Sequence, residues 1–309
     1  MSTPMILLGA LFLDALFGEP RVIWSRLPHP AVLIGRAIGW ADRRFNKGAA
    51  RRLKGTALVA VLVLASLALG AVVNALPGSD LWTLLIAAIL LAQRSLCQHV
   101  AQVADALRLS TGNGRRKVAM IVGRDTSAID GPAIARGAIE SAAENLSDGV
   151  IAPAFWFLIG GLPGLLAYKA INTADSMIGY LTPRHSDFGW AAARLDDLVN
   201  WIPARLTAAL TLSVMALQRR PLPGFTAFRA DAGKHRSPNA GWPEAAFARA
   251  LGVALAGPRS YSGEKKHFPF VNPDGRREAT ARDIDAAVTL LWQTWGMAVA
   301  VIVLVACLA

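Results

Sequence analysis

Two uncharged apolar runs of helix length dominate the hydrophobic pattern of the chain, Thr56 to Leu76 and Val288 to Leu308. Each is long enough to cross roughly 30 Å of hydrocarbon as an α-helix. Four further segments, Pro4 to Phe17, Leu81 to Ala92, Val150 to Ala167 and Leu198 to Leu217, are shorter, broken by Gly or Pro, or carry a charge such as Asp14 or Arg205. Such segments suit tilted, re-entrant or protein-buried helices. The N-terminal run has no basic residue before it and contains Asp14, so it reads as a retained helix rather than a cleaved signal. Two polar stretches, 93–149 and 218–287, complete the pattern. The second carries turn signals at Pro221-Leu-Pro-Gly224, Gly241-Trp-Pro243 and Asn272-Pro-Asp-Gly275. The pattern predicts a mainly α, polytopic helical integral membrane protein, a single membrane-embedded domain over residues 1–309 with both polar stretches on the cytoplasmic side.

The path of 150–170 decides whether the polar segments on either side of it share a face of the membrane. If Arg51, Arg52 and Lys54 are cytoplasmic, the chain crosses outward through Thr56 to Leu76, turns at Pro77-Gly78-Ser79-Asp80 and returns by Ala92. A full crossing by Val150 to Ala167 then puts the polar segment from Tyr168 onward outside. The interruption Gly160-Gly-Leu-Pro-Gly164 favours a re-entrant hairpin or a buried broken helix that comes back to the side it left.

Composition sharpens this picture. The 309 residues are 54% hydrophobic, with a mean hydropathy of +0.40 and a net charge of +11. The basic residues gather beside the apolar runs, Arg43, Arg44, Lys47, Arg51, Arg52 and Lys54 before one, Arg219 and Arg220 after another. That is the positive-inside pattern, with anionic membrane lipid as counter-charge, and no nucleic-acid reading motif accompanies it. Cys97 and Cys307 have neither disulfide-framework nor zinc-ligand spacing. P-loop, dinucleotide-binding, zincin and nucleophile-elbow motifs do not occur, so a nucleotide, if used, is not held by a P-loop.

Candidate chemistry lies in acidic, amide-rich blocks against the apolar runs. Asp130-Gly-Pro132 starts a helix on which Glu140, Glu144 and Asp148 recur at i, i+4 and i+8, with Asn145 beside them. Three carboxylates on one face suit either a solvated, Arg-paired surface or an Mg²⁺ site, since that ion takes a few carboxylates plus substrate phosphate. Asp125, after Gly123-Arg124, orients a phosphate-binding arginine, joins the metal site or closes an Asx turn. Lys169, Asn172, Asp175 and Ser176 form a second polar group; the lysine either neutralises phosphate or snorkels, and Asp175 suits a metal or a proton. Arg194, Asp196 and Asp197 precede the run containing Arg205, where an ion pair between helices competes with catalysis. His29, between Pro28 and Pro30, reads as an ordinary histidine in a turn.

At these residues the chain resembles the membrane-bound adenosylcobinamide-phosphate synthases (cobinamide synthases, the CobD/CbiB family) of cobalamin biosynthesis. The resemblance extends over essentially the whole chain. It rests on Asp14 with Gly18-Glu-Pro20, Pro28-His-Pro30 with Gly35, Val122-Gly-Arg-Asp-Thr126, Ile139-Glu-Ser-Ala-Ala-Glu-Asn-Leu-Ser-Asp-Gly149 and Tyr168-Lys-Ala-Ile-Asn-Thr-Ala-Asp-Ser-Met177. Ala193-Arg-Leu-Asp-Asp197, Ile202-Pro-Ala-Arg205 and Ser237-Pro-Asn-Ala-Gly241 with Pro243-Glu244 continue it. Glu19 stands where the family commonly has Asp, which keeps the charge.

The resemblance implies a ligase that joins the last free propionate of adenosylcobyric acid to (R)-1-amino-2-propanol O-phosphate, with ATP as co-substrate, Mg²⁺ as cofactor and the corrinoid as substrate. It implies metal roles for Glu140, Glu144 and Asp148, and catalytic roles for Asp175, Lys169 and Glu144. Phosphate or substrate binding falls to Arg124, Asn145, Asn172, Ser176 and Arg194. The expected setting is the inner cell membrane, with the site on the cytoplasmic side and other late cobalamin-synthesis enzymes as partners. Two readings compete with the ligase: a secondary transporter, which broken apolar segments with intramembrane acids suggest, and a non-catalytic scaffold for corrinoid intermediates.

Overall fold

The computed structural model describes residues 1–261 and 264–308. Helices dominate, and the chain forms two compact units, one comprising 1–92, 148–201 and 302–309, the other 93–147 and 202–301. Among the described residues four helical stretches are long and apolar enough to cross a membrane, Arg51–Asn74, Ser79–Leu109, Gly131–Ile178 and Ala281–Leu308, and Trp190–Val199 with Trp201–Leu217 form a bent pair that also qualifies. This is a polytopic helical membrane protein.

In the first unit the chain runs through α1 (Thr3–Phe17), α2 (Arg21–Trp24), α3 (Pro30–Phe45), α4 (Arg51–Asn74) and α5 (Ser79–Leu90). His29 caps α3. Its Nδ1 accepts the Ala31 N–H at 3.2 Å, which leaves Nε2 to carry the proton toward the Ile89 carbonyl, 3.1 Å away. The turn histidine thus ties the start of α3 to the end of α5. In the second unit α6 (Gln93–Leu109), α7 (Thr111–Val118) and α8 (Gly131–Leu146) replace the first polar stretch. Asp130 caps α8 by accepting the Ala133 N–H at 2.8 Å, with Pro132 in the first turn.

A π-helical turn, Ser147–Ile151, then leads into α9 (Ala152–Ile178). Helix α9 is interrupted: Gly161 has φ 59°, ψ −153°, and Pro163 comes two residues later. The interruption reverses the chain. In a straight helix residues 156 and 164 would be about 12 Å apart, yet a Cβ built on Gly164 would stand 2.5 Å from the Trp156 carbonyl oxygen. The Tyr168 hydroxyl lies 3.1 Å from the Asp148 carbonyl, and Asn172 Nδ2 lies 3.4 Å from Asp148 Oδ2. Residues 148–178 are therefore a helical hairpin with its apex at Gly160-Gly161. The first limb, about 13 residues, is about 20 Å long, and the chain then runs back along it, a reversal at the glycine-proline interruption. It is the centre of its unit, with α1, α3, α4, α5 and α10 (Trp190–Val199) packed around it.

Helix α8 is the corresponding centre of the second unit, packed by α6, α7 and α13 (Gly241–Leu251). The stretch 218–287 also holds α12 (Phe225–Ala232) and four short strands the hydrophobic pattern gave no sign of: β1 (Leu255–Ala256), β2 (Arg259–Tyr261), β3 (Glu264–Lys266) and β4 (Phe270–Val271). They pair antiparallel as β1 with β4 and β2 with β3. Two to three residues per strand are too few to show an alternating pattern. The polar stretches are thus folded helical structure rather than loops. Residues 202–217 of α11 (Trp201–Leu217) and 281–301 of α14 (Ala281–Leu308) complete the unit, where buried Thr211 and Thr294 bring their hydroxyls to 3.4 Å.

Asp231 fastens α12 to α13. It accepts from Lys234 at 2.6 Å and from Arg249, and Lys234 also donates to the Phe270 carbonyl at 3.0 Å. Burial alone would raise this carboxyl; hydrogen bonds and charge from Lys234 and Arg249 outweigh it and hold the group below the usual carboxylate range. A depressed folded pKa stabilises the fold above the unfolded value and loses that contribution as pH falls through the folded one. Asp231→Asn is expected to lower unfolding stability by about 3 kcal/mol at neutral pH, the gap to wild type closing as pH falls below about 4, read by denaturant unfolding in detergent. At the hairpin apex, Gly161→Ala forces a side chain into glycine-only backbone space, with an expected loss of about 1–3 kcal/mol. Gly160→Ala, whose Cβ meets open space, serves as the control, and the two should separate in thermal unfolding.

Candidate functional site

Two polar clusters answer to the sequence motifs, one in each unit. The first lies at the base of the hairpin, where residues 20 or more positions apart converge. The Asn172 amide faces two carboxylates, Asp148 Oδ2 at 3.4 Å and Asp196 Oδ1 at 3.3 Å. Its two hydrogens suit two acceptors. Buried Tyr168 has a single hydroxyl proton but lies 2.9 Å from Asn200 Oδ1 and 3.1 Å from the Asp148 carbonyl. The shorter contact is the hydrogen bond that the tyrosine donates to Asn200 Oδ1, and the Asn200 amide nitrogen faces the Asp196 carboxylate. Lys169, half-buried, lies in the field of Asp148 and Glu19. The cluster thus sets a cation among carboxylates, bridged by an amide.

Asp175 is one helical turn beyond Asn172. Its Oδ1 occupies the space a Cβ at position 179 would fill, so Gly179 is what lets the carboxylate lie back along the helix end. Ser176 is exposed on the same turn. Arg194 is not part of the cluster. On α10 it stands about 200° around the helix from Asp196, two-thirds exposed, with Asp197 at 4.0 Å.

The second cluster lines a cleft of about 220 Å³ formed by Ile121 to Arg124, Gly137, Glu140, Ser141, Glu144, His235 and Glu244. Buried Glu140 is its anchor. One oxygen receives Arg124 Nη1 at 2.9 Å, the other the Ala256 N–H at 2.7 Å. Ala256 holds a left-handed backbone, φ 60°, so Glu140 also secures a strained turn. Gly137 makes room for this pair, since a Cβ there would overlap the Arg124 guanidinium. Ser141 Oγ donates to the Ile121 carbonyl at 2.7 Å and receives Asn145 Nδ2 at 3.2 Å, leaving Asn145 exposed above the cleft.

Opposite, His235 Nδ1 accepts the Ser237 N–H at 3.0 Å, so the ring proton is on Nε2, 3.6 Å from Glu244 Oε1. Asp125 forms an Asx turn by accepting the Ser127 N–H at 2.9 Å, and that backbone donor holds its carboxyl below the usual range. Of the three readings open for Asp125, the structure shows the turn.

The residues of the sequence motifs are therefore divided. Glu140 and Glu144 share the cleft with Arg124, whereas Asp148, i+8 along the chain, sits in the π-turn and partners Asn172. Among the described residues no group of three or more His, Cys, Asp or Glu side chains is arranged to hold a metal ion. His235 was invisible to the sequence reading because it lies some 90 positions from the helix it faces; its one signal is the neighbouring Ser237-Pro-Asn-Ala-Gly241 turn ahead of Glu244.

Residues 7–291 match the family model for the CobD/Cbib protein. Among relatives, the cobalamin biosynthesis protein CobD of Brucella anthropi is 50% identical, with 96% of this chain and 95% of that protein aligned. That of Rhizobium meliloti is 48% identical over 93% and 92%, and that of Rhodobacter capsulatus 45% over 92% and 92%. No solved structure matches the chain.

Glu140→Gln keeps the shape but sets a neutral amide beside the Arg124 guanidinium. It is expected to cost about 3 kcal/mol, seen as a lower unfolding midpoint in detergent, while Glu144→Gln, on the exposed side of the same cleft, leaves the midpoint near wild type.

Proposed function

Because the chain belongs to the CobD/Cbib family of cobalamin biosynthesis proteins, we propose that it is the ligase that amidates the remaining propionate of adenosylcobyric acid with (R)-1-amino-2-propanol O-phosphate, using ATP, at the cytoplasmic face of the inner membrane. The observation that carries this reading is the convergence of Lys169, Asp148, Asn172 and Asp196 at the base of the hairpin. A cation flanked by carboxylates and an amide suits a reaction in which phosphate charge must be neutralised and an ammonium must lose a proton.

The chemistry runs in two steps. A propionate oxygen attacks an ATP phosphoryl group, giving an acyl phosphate and the nucleotide leaving group. The amine, deprotonated, then attacks the acyl carbon; the C–N bond forms and inorganic phosphate departs. In this reading Lys169 offsets the charge on the acyl phosphate, and Asp175 takes the ammonium proton. In the second unit, considered by itself, Arg124 held by Glu140 faces its own cleft and with the His235 Nε2–H suits an anionic phosphate there.

The cleft's donor set fits Mg²⁺ arriving with nucleotide. Glu144 and Glu244 both line it, and the ion takes one or two carboxylates while phosphate and water complete its shell. Bound there it would neutralise phosphate charge. Asp148, the third carboxylate of the sequence pattern, serves instead to orient Lys169.

Detergent-purified protein incubated with adenosylcobyric acid, aminopropanol phosphate and MgATP is expected to yield a corrinoid heavier by one amide to the amine donor, only when ATP is present. Asp175→Asn and Lys169→Met are each expected to lower turnover by at least about 100-fold with the protein still folded. Ethanolamine phosphate in place of aminopropanol phosphate reads donor choice. No product from folded protein, with a homologue active in the same detergent, would overturn the ligase and favour a scaffold.

A further inference from the structure

The apolar groove between α4 and α10 carries an arginine that the polar clusters leave aside. About 560 Å³ in volume, it is lined by Thr56, Val59, Ala60, Val63 and Leu64 from α4 and by Trp190, Ala191, Arg194, Leu195 and Leu198 from α10. Among the described residues Arg194 is its only charged wall residue, in a long ion pair with Asp197 at 4.0 Å. A guanidinium at the edge of hydrocarbon is costly without an anion or a route to the headgroups. At the Trp190 end a second one is at hand: Arg52 stacks over the Trp190 ring at 3.7 Å. Arg52, Thr56, Val59 and Val63 lie along one face of α4, so the groove grades from cationic to wholly apolar along its length.

We propose that this groove is a binding site for an anionic phospholipid, its phosphate between Arg52 and Arg194 and an acyl chain along Val59 to Leu64 and Leu195 to Leu198. The apolar floor selects a lipid over a free phosphate. Two guanidiniums select an anionic headgroup over a zwitterionic one. The Trp190 indole sets the depth at which the phosphate stops, as aromatic rings do at membrane interfaces. The site stands apart from the ligase reading and does not depend on it.

Native mass spectrometry of the whole protein released from detergent, titrated with phosphatidylglycerol and phosphatidylcholine of identical chains, tests this. Phosphatidylglycerol is expected to be retained about tenfold better, with the preference lost in the Arg52→Gln/Arg194→Gln double variant. Ala191→Trp, which fills the groove while keeping both arginines, is expected to weaken phosphatidylglycerol retention about tenfold as well. Unfolding midpoints of all variants report that they fold. Equal retention of the two lipids by wild type would overturn the proposal, as would a double variant that keeps the preference. Displacement of phosphatidylglycerol by millimolar inorganic phosphate would show a phosphate site without the lipid. A wild-type dimer that lipid cannot dissociate and that Ala191→Trp abolishes would assign the groove to a second copy.

Discussion

A carboxylate, lysine or amide among apolar helices must find its partners inside the protein, because hydrocarbon offers none. The hairpin of residues 148–178 is the structural answer to that constraint. By reversing at Gly160-Gly161 it sets Asp148 against Asn172 and lets Asp196 reach the same amide. Straightened, the same helix would separate 148 from 172 by about 36 Å and strand each polar group alone. Small residues make the reversal possible: Gly161 adopts the backbone, Gly164 meets the Trp156 carbonyl, and Gly70 of α4 admits Pro163 against its backbone.

The second unit meets the same constraint with a different device. Glu140 is nearly fully buried, and both its oxygens are engaged, by Arg124 and by the Ala256 N–H. Once more a glycine is the complement, since Gly137 leaves the volume the guanidinium occupies. A buried ion pair of this kind contributes little net stability compared with an apolar isostere. Its effect is to fix where the Arg124 charge sits in the cleft.

Much of this was legible in the residue order. Uncharged runs at 56–76 and 288–308 announced α4 and α14, Asp130-Gly-Pro132 announced α8, and the Gly-Gly-Leu-Pro-Gly interruption announced the hairpin, since these signals are local. The division of the carboxylates was not legible. Helical periodicity set Glu140, Glu144 and Asp148 on one face, but it assumes 3.6 residues per turn, and the π-turn at Ser147–Ile151 breaks that assumption. Arg194 shares a motif with Asp196 and Asp197, yet two positions on a helix point nearly opposite ways. His235 and the Ala256 N–H reach their partners through long-range folding that no spacing encodes.

A helical hairpin that reverses within the chain is held by the helices packed against it. It needs a seat, and the order of synthesis supplies one. The helices α1, α3, α4 and α5 all precede it in the chain, and Gly70, on which Pro163 rests, is translated more than 90 residues earlier. The helices that receive it are therefore all synthesised before Gly161. Helix α10 comes later, bringing Asp196 and Asn200 to a base already formed. The order of synthesis is thus walls first, hairpin second, polar closure last.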